Sequence, residues 1–456
     1  MNAPTLPPDA ATVPQRKPLL AFLPIAIALT MAVLDGAIVN IALPSIAQQL
    51  SLQPEQAIWI VNIYNLAITI SLLPLSSLGD SIGYRRVYWW GLLIFTFSSL
   101  LCANAGNFWI FIVARFLQGL GAAGIMSVNI ALVRFIFPKA KLGAGMGYTA
   151  LIVAVSAAAG PSVGAAILSV ADWQWLFLVN VPSGVFALIL ARQLLPLTPT
   201  TGTRISKTSI LLNALTFGPL IAGLNAVSTA SDHRLTIILL IIAFVAGTAF
   251  IAREQRMVQP ILPLDLLKRP IFRLSFLISI TSFSAQNMGF VALPFYLETA
   301  LGYSAHHTGF LLTPWPMVTA LIAPVAGRLS DRFPPHYIAS LGLLLFAIGW
   351  ASLALLPAGP GELDLVWRFG LCGLGFGMMQ SPNNRVIIGS APPERSGGAS
   401  GLQSLGRLLG QSLGAIIVAT LFSGLGTTDI RWVAWTAAAL AITASAASLL
   451  RKPVLS

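Results

Sequence analysis

The chain has 456 residues, of which 56% are hydrophobic and only 9% charged, with a mean hydropathy of +0.83 and a formal net charge of +12. A soluble chain of this length would carry roughly 25% charged residues, so the composition excludes an ordinary water-soluble domain and points to an integral membrane protein. The excess positive charge follows the loops between apolar runs and is no nucleic-acid footprint, while Cys102 and Cys372 lie far apart without metal-ligand spacing.

The first 18 residues, MNAPTLPPDAATVPQRKP, are polar and Pro-rich and read as a tail, not a cleavable leader. A membrane-crossing helix takes about 20 apolar residues. By that measure fourteen spans are expected. The first six lie near 19–43, 57–78, 87–104, 109–133, 143–169 and 175–195, two more near 209–229 and 235–253, and the last six near 272–299, 307–327, 337–356, 365–388, 398–423 and 431–450. The expected fold is all-α, with a six-helix bundle over 19–196, a linker holding two extra spans over 197–270, and a second six-helix bundle over 271–456.

Among the 26 Lys and Arg, only Arg234 and Arg431 fall in loops opposite the N-terminus, and Arg115, Arg368 and Arg407 fall within spans. The rest lie on or near the N-terminal side, which places both termini in the cytoplasm of a multi-pass cell (inner) membrane protein. An internal repeat agrees with paired halves. LSSLGDSIGYRR follows span 2 and GRLSDRFPP follows span 10, each with a Leu two residues before an Asp, at Leu78–Asp80 and Leu329–Asp331. Repeated halves with a site at their interface are typical of secondary transporters.

In chain order, the first feature that carries chemistry is AVLDGAIVNIALP, where Asp35 interrupts an apolar run that begins at Leu19. Burying an ionised carboxylate is costly, so a dry Asp35 is expected to hold a proton. Water, a cation such as Arg115 or a cationic substrate would release it. The plainer alternative is a protonated side chain that hydrogen-bonds a neighbouring helix.

On span 2, Trp59, Asn62, Asn65 and Thr69 follow helical spacing, with Tyr64 beside them. On span 4, Gln118 lies about 60° and Asn129 about 40° from Arg115 around the helix, so that Arg115, Gln118, Ala122, Met126 and Asn129 form one stripe. An arginine in a span costs on the order of 3 kcal/mol unless it finds water or a partner. Arg115 therefore faces a cavity or another helix, or else snorkels to an interface. Ser275, Ser279, Ser282 and Gln286 form a similar line on span 9. Polar lines can be interhelical glue or the lining of a shared wet path. Phe283 and Phe295 on span 9 join Trp59 and Tyr64 as aromatics available for stacking or cation–π contact. Glu298 ends span 9 near the outer surface, where solvated and ligand-contacting readings both stand. His306 and His307 are adjacent without a second ligand cluster and imply no metal.

Four segments together resemble the fourteen-span drug:proton antiporters of the major facilitator superfamily. They are LDGAIVNIALP (Leu34–Pro44), with Ala37 where the family has Thr; SSLGDSIGYRR, with Ser76 and Ser81 in place of Gly and Arg; RFLQGLGAAG (Arg115–Gly124); and AGPSVGAA (Ala159–Ala166), near which Ser156 and Ala165 stand where Gly is common. The resemblance implies that Asp80, in a motif with Gly83, Arg85 and Arg86, latches an inside gate at the start of span 13, where ERSGGASG supplies small residues. It implies that Asp331 does the same for span 5, although Pro334 replaces the motif's Gly. It also implies that Gly160, Pro161 and Gly164 form a hinge and seal between the halves.

No GxxxxGK[ST] loop is present, which argues against ATP-driven transport in cis, and isolated intramembrane acids argue against an enzyme. A channel would want a pore-lining ring from several subunits. The expected function is proton-coupled export of amphipathic, aromatic or cationic small molecules, multidrug efflux and antibiotic resistance included. The partners are substrate, protons and the lipid bilayer; the protein is monomeric, with no cofactor, metal or nucleic acid. The alternative is a dedicated exporter, or a proton-coupled importer, of a single metabolite.

Overall fold

Within a bilayer each backbone N–H and C=O must be satisfied inside its own segment, which confines long apolar runs to helix. The structure is a computed structural model that describes residues 18–451 apart from 53, 203–205, 229–232, 258–259, 304, 358 and 426–429. Its first half contains α1 (Pro18–Gln49), α2 (Pro54–Ile82), α3 (Tyr84–Ala103), α4 (Phe108–Ile136), α5 (Leu142–Leu168), the short α6 (Gln174–Leu178) and α7 (Asn180–Leu194). Then come α8 (Lys207–Ser228), α9 (His233–Glu254) and the single turn α10 (Leu264–Leu267). The second half has α11 (Pro270–Phe295), which ends in a π-helical turn, α12 (Ala305–Leu312), α13 (Pro314–Arg332), α14 (Pro335–Ala354), α15 (Glu362–Ser390), α16 (Ser396–Leu425) and α17 (Ile430–Leu449).

Local chemistry sets several of these boundaries. The Asn107 side chain accepts from the Ile110 N–H at 3.0 Å and caps α4. Pro270, Pro314 and Pro335 sit in the first turns of their helices, where the missing N–H has no intrahelical partner anyway. Gly83 divides α2 from α3 with φ +99°, a conformation that a side chain would oppose.

Twelve segments among the described residues are long and apolar enough to cross a membrane. The sequence led us to expect fourteen, and α8 and α15 are the two outside that set. Glu362, Asp364, Arg368 and Arg385 dilute α15, while the described part of α8 is too short to count as a span.

The two halves pack by the same device. On α3 and α4, a Cβ at Gly91 would lie 2.8 Å from the Gly124 Cα; on α14 and α15, a Cβ at Gly342 would lie 2.8 Å from the Gly375 carbonyl oxygen. Close backbone approach replaces the hydrophobic effect as the packing force where lipid surrounds the helices. The α8–α9 pair packs on itself, with α8 touching α2 and α16. Buried apolar side chains form two clusters in the first half, one of which extends to its contact with α15 and α16, and another within the second half. Trp90, Phe97, Val245 and Leu321 are among the large apolar side chains left exposed for lipid.

The halves meet along α5–α13 and α2–α16. A Cβ on Gly143 would collide with Gly327, and one on Gly147 would lie 2.7 Å from the Pro324 Cα. The close approach expected at Gly160 and Gly164 thus falls one to two turns from the other end of α5. A Cβ on Gly164 would instead lie 3.4 Å from the Ile38 side chain of α1, inside its own half. The side chain of Pro161 lies outside the described set.

Candidate substrate and proton site

Five helices converge on Asp35, which is 3% exposed. Arg115, from α4, donates through Nη1 to Asp35 Oδ2 and to Gln118 Oε1, both at 2.6 Å, and through Nε to the Ile60 carbonyl of α2 at 3.2 Å. Gln118 donates to Asp35 Oδ1 at 2.8 Å and to Ser99 of α3 at 2.9 Å. Asn180 of α7 adds a longer contact to Asp35 Oδ1 at 3.4 Å. The Tyr64 ring lies under the Arg115 guanidinium, 4.3 Å from its centroid, and the Tyr64 hydroxyl donates to the Ala32 carbonyl.

This geometry is one of the arrangements that the sequence offered for Asp35: the buried carboxylate has the Arg115 guanidinium beside it. Arg115 does not snorkel, since it is fully buried and points into the bundle. A buried pair of this kind contributes little net stability, whereas removing one partner costs roughly 3–5 kcal/mol because the other charge is left alone. Spacing on α4 joined Arg115 to Gln118. Asn180 and Ser99 escaped sequence reasoning, because nothing in their local pattern marks them as polar partners.

The other expected substrate residues divide. Met126 and Asn129 are buried on α4, and the Asn129 Oδ1 has no hydrogen-bond partner. Asn62 and Gln286 are half-buried and Asn65 is exposed. Trp59 and Phe295 are each more than half exposed, the latter edge-on to Phe422. Phe283 is spent on the core: it is 4% exposed and packs edge-on against Phe376 at 5.3 Å. Glu298 is exposed in the π turn after α11. Three serines of the α11 line are engaged in hydrogen bonds within the protein. Ser275, Ser279 and Ser282 return hydrogen bonds to carbonyls of their own helix, and Asn383 of α15 donates to the Ser279 hydroxyl at 2.9 Å.

At the end of the bundle where α1 begins, Asp80 reaches across to the N-terminus of α16 and accepts from Gly397 at 2.9 Å and Gly398 at 3.2 Å. Asp331 makes the matching contact to the N-terminus of α5, accepting from Gly143 at 2.8 Å and Ala144 at 3.1 Å. Helix N-termini favour negative charge, so each acid completes a pair of otherwise orphaned donors. The expected neighbours of Asp80 are not its partners. Arg85 donates to the Arg192 carbonyl and Arg86 is exposed, while the Tyr84 hydroxyl donates to Asp80 at 2.6 Å. Gly83 places the Tyr84 N–H on Thr198 Oγ1 at 2.9 Å.

Three arginines at this end went unrecognised in the sequence. Arg134 of α4 donates to the Ile388 and Ala391 carbonyls and to Ser396, at 3.0, 2.8 and 2.9 Å. Arg385 lies 3.4 Å from Asp331. Arg451, just past α17, tucks back onto Ser275, Asn383 and Ser448, and burial pushes its guanidinium down to about 10. A basic residue near a span end facing a repeated acid is a signal that could have found Arg385. For Arg134 and Arg451 the acceptors are carbonyls and hydroxyls, which leave no trace in sequence.

Two helical halves, each with an aspartate set on a helix N-terminus of the other, agree with the family that comparison with known proteins finds. Residues 25–269 and 274–455 fit the model of the Major Facilitator Superfamily. The chain belongs to that superfamily. It is 49% identical to "Uncharacterized transporter YebQ" of Escherichia coli (strain K12), over 98% of both chains. It is 31% identical to "Riboflavin transporter RibZ" of Clostridioides difficile (strain 630), over 88% of this chain and 87% of that one. It is 29% identical to "Multidrug resistance protein Stp" of Mycobacterium tuberculosis (strain CDC 1551 / Oshkosh), over 92% and 78%. The crystal structure of the human organic anion transporter MFSD10 superposes with a TM-score of 0.68 at 14% identity, covering 95% of this chain and 100% of that one, a likeness of fold. The protein is thus a multi-pass membrane transporter of small molecules and not an enzyme.

Proposed function

We propose that the protein is a proton-coupled exporter of amphipathic, aromatic small molecules, one of the fourteen-span drug:proton antiporters, working by alternating access in the cell (inner) membrane. The observation that carries this reading is the Asp35–Arg115–Gln118 network. Away from the helix ends, Asp35 is the carboxylate of the described spans, and its charge is held by a cation that has no other acid.

When Asp35 is ionised it draws α1, α4 and α7 together through Arg115, Gln118 and Asn180. A proton arriving at Asp35 cancels the charge and leaves Arg115 with only neutral acceptors, Gln118 Oε1 and the Ile60 carbonyl. The buried cation then favours any arrangement that admits water or a substrate, so proton occupancy and cavity shape move together. Asn62, Asn65, Met126, Asn129 and Gln286 line the substrate path. Asp80 and Asp331 hold the cytoplasmic gate shut in this state, with Gly83 setting the position of Tyr84. Both termini are cytoplasmic, as the distribution of Lys and Arg argues.

The fourteen-span count is supported by packing. The 29-residue α15 lies against α13 and α14 and runs alongside them, and the 22-residue α8 is paired with α9. The halves are 19–196 and 271–456, with 197–270 as the linker. The relative named as a riboflavin transporter supports a second reading, a carrier dedicated to one flat aromatic metabolite.

The deciding experiment is Asp35→Asn in proteoliposomes with an imposed pH gradient. The variant should insert and fold but lose gradient-driven export and substrate-induced proton release. Wild-type values for both would overturn proton coupling at Asp35.

A further inference from the structure

Arg407 of α16 is a second intramembrane arginine, and the Asp35 network does not use it. It lies ten residues beyond Gly397, which the Asp80 latch fixes at one end of the helix. At 1.5 Å per residue that is about 15 Å, half of a roughly 30 Å hydrocarbon core. Gly406, Gly410 and Gly414 turn one face of α16 onto Phe276, Ile280 and Ser284 of α11. Around the helix, Arg407 lies between Gly410 on that face and Ser404 on the side turned to the first half, about 60° from each. One turn below, Ser404 donates to the Met126 carbonyl of α4 at 3.4 Å, and Tyr64 of α2 is within electrostatic range of Arg407 itself. The guanidinium thus sits where the two halves face each other.

Among the described residues, Arg407 is in none of the ion pairs and donates no hydrogen bond. Arg115, by contrast, has its acid, its amide and its carbonyl. Of the three arginines within spans, Arg115 has Asp35 and Arg368 has Asp364, which leaves Arg407 without an acid among the described residues. An arginine held at mid-depth costs on the order of 3 kcal/mol by insertion scales, and this one makes no ion pair or hydrogen bond in return among the described residues. Its chemistry suits a planar oxyanion, which a guanidinium can bind through two parallel N–H donors.

We infer that Arg407 is the substrate's anion receptor, and that the substrate is an amphipathic aromatic carboxylate or similar organic anion. The inference rests on the exporter reading and sharpens it, since the sequence alone had left a cationic substrate open. A net positive chamber repels a cation and attracts an anion. Asn129 supplies a second point of recognition. Its buried, unpartnered Oδ1 lies on α4 one turn further toward the latched end than Met126, about 9 Å along the bundle from Arg407. A ring system carrying a carboxylate at one edge and a hydroxyl or N–H at the other would meet both.

The test reads the local charge directly. Gln411→Cys places a thiol one turn from Arg407 on the same face, in the otherwise native full-length protein, with the native protein and its buried Cys102 and Cys372 as the blank. Sulfonatoethyl methanethiosulfonate should modify it roughly tenfold faster than the trimethylammonioethyl reagent, and adding Arg407→Gln should abolish that preference. Equal rates, a preference for the cationic reagent, no reaction with either, or a preference that survives Arg407→Gln would each overturn the inference. In proteoliposomes, export of 1-naphthoate should lose roughly tenfold in KM on Arg407→Gln, Arg407→Lys should restore part of it, and 1-naphthamide should be unaffected. Preferential export of 1-naphthylmethylammonium by the native protein would also overturn it. If the labelling preference holds while no probe responds to a proton gradient, the exporter reading fails and the anion site stands.

Discussion

Replacing Asp80 with asparagine tests the gate with little change in shape. The carboxylate accepts three hydrogen bonds, from Tyr84 at 2.6 Å, Gly397 at 2.9 Å and Gly398 at 3.2 Å. An asparagine keeps one acceptor oxygen and turns an NH2 group toward a donor that the second carboxylate oxygen had satisfied. Hydrogen bonds to a charged group contribute about 1.5–3 kcal/mol net against about 0.5–1.5 for neutral ones, and the loss of charge at a helix N-terminus adds about 0.3–1 kcal/mol. The latched state should therefore weaken by about 2 kcal/mol, which is roughly 30-fold in the equilibrium between closed and open cytoplasmic ends. Asp331 remains in place, so the gate is biased and not destroyed. Maleimide labelling of Ser404→Cys from the cytoplasmic side of inside-out vesicles reads that equilibrium, and the label should enter about 30-fold faster with Asp80→Asn present. Turnover should fall while substrate affinity holds. Unchanged labelling together with normal transport would refute the latch and leave Asp80 a structural acid.

Gly143→Leu would drive a side chain into Gly327 and Ser330 across the α5–α13 seam, so transport should be lost with the cytoplasmic end held open, as read by the same labelling. Phe283→Ala should cost about 3–5 kcal/mol of stability by opening a cavity beside Phe376, yet leave substrate KM nearly unchanged; a large KM effect at normal stability would return Phe283 to the substrate path. Reporter fusions after Thr200 and after Pro260 should both report the cytoplasm, and an external signal from either would end the fourteen-span plan with its paired linker helices.

How much of this was legible in the sequence depended on polarity more than on hydrophobic pattern. A helix surrounded by lipid is apolar on every face, so periodicity cannot tell a core aromatic from a chamber aromatic, and Phe283 was placed on the wrong side of that line. Ionisable residues were more informative, because each must find a partner. That necessity picked out Asp35, Arg115 and Arg407, and spacing on α4 added Gln118. It could not say which partner each would find. Asp80 and Asp331 emerged from the repeat, but Tyr84 replaced the neighbouring arginines, because Gly83 turns the chain so that the tyrosine points back at Asp80. Glycines were the least legible. Gly143, Gly147 and Gly164 look alike along α5, and only the course of the helix decides that the first two touch α13 and the last touches α1.

The position of α4 gives these separate sites a common physical basis. It carries Arg115 in the Asp35 network and Arg134 on the carbonyls and hydroxyl of the opposite half, 19 residues and about 28 Å apart. No proline interrupts the 29-residue helix, and Gly119, Gly121 and Gly124, its flexible positions, are locked against Tyr64 of α2 and against Phe95 and Gly91 of α3. A rod so held cannot move at one end alone. If a proton on Asp35 releases Arg115, the tilt or rotation that follows must also be felt where Arg134 grips the end of α15 and the start of α16, beside the Asp80 latch. The coupling then needs no relay of side chains through the chamber. It needs only that one stiff helix end in an ion pair that a proton can break and in a grip that holds the gate, each arrangement favoured at one end being favoured at the other.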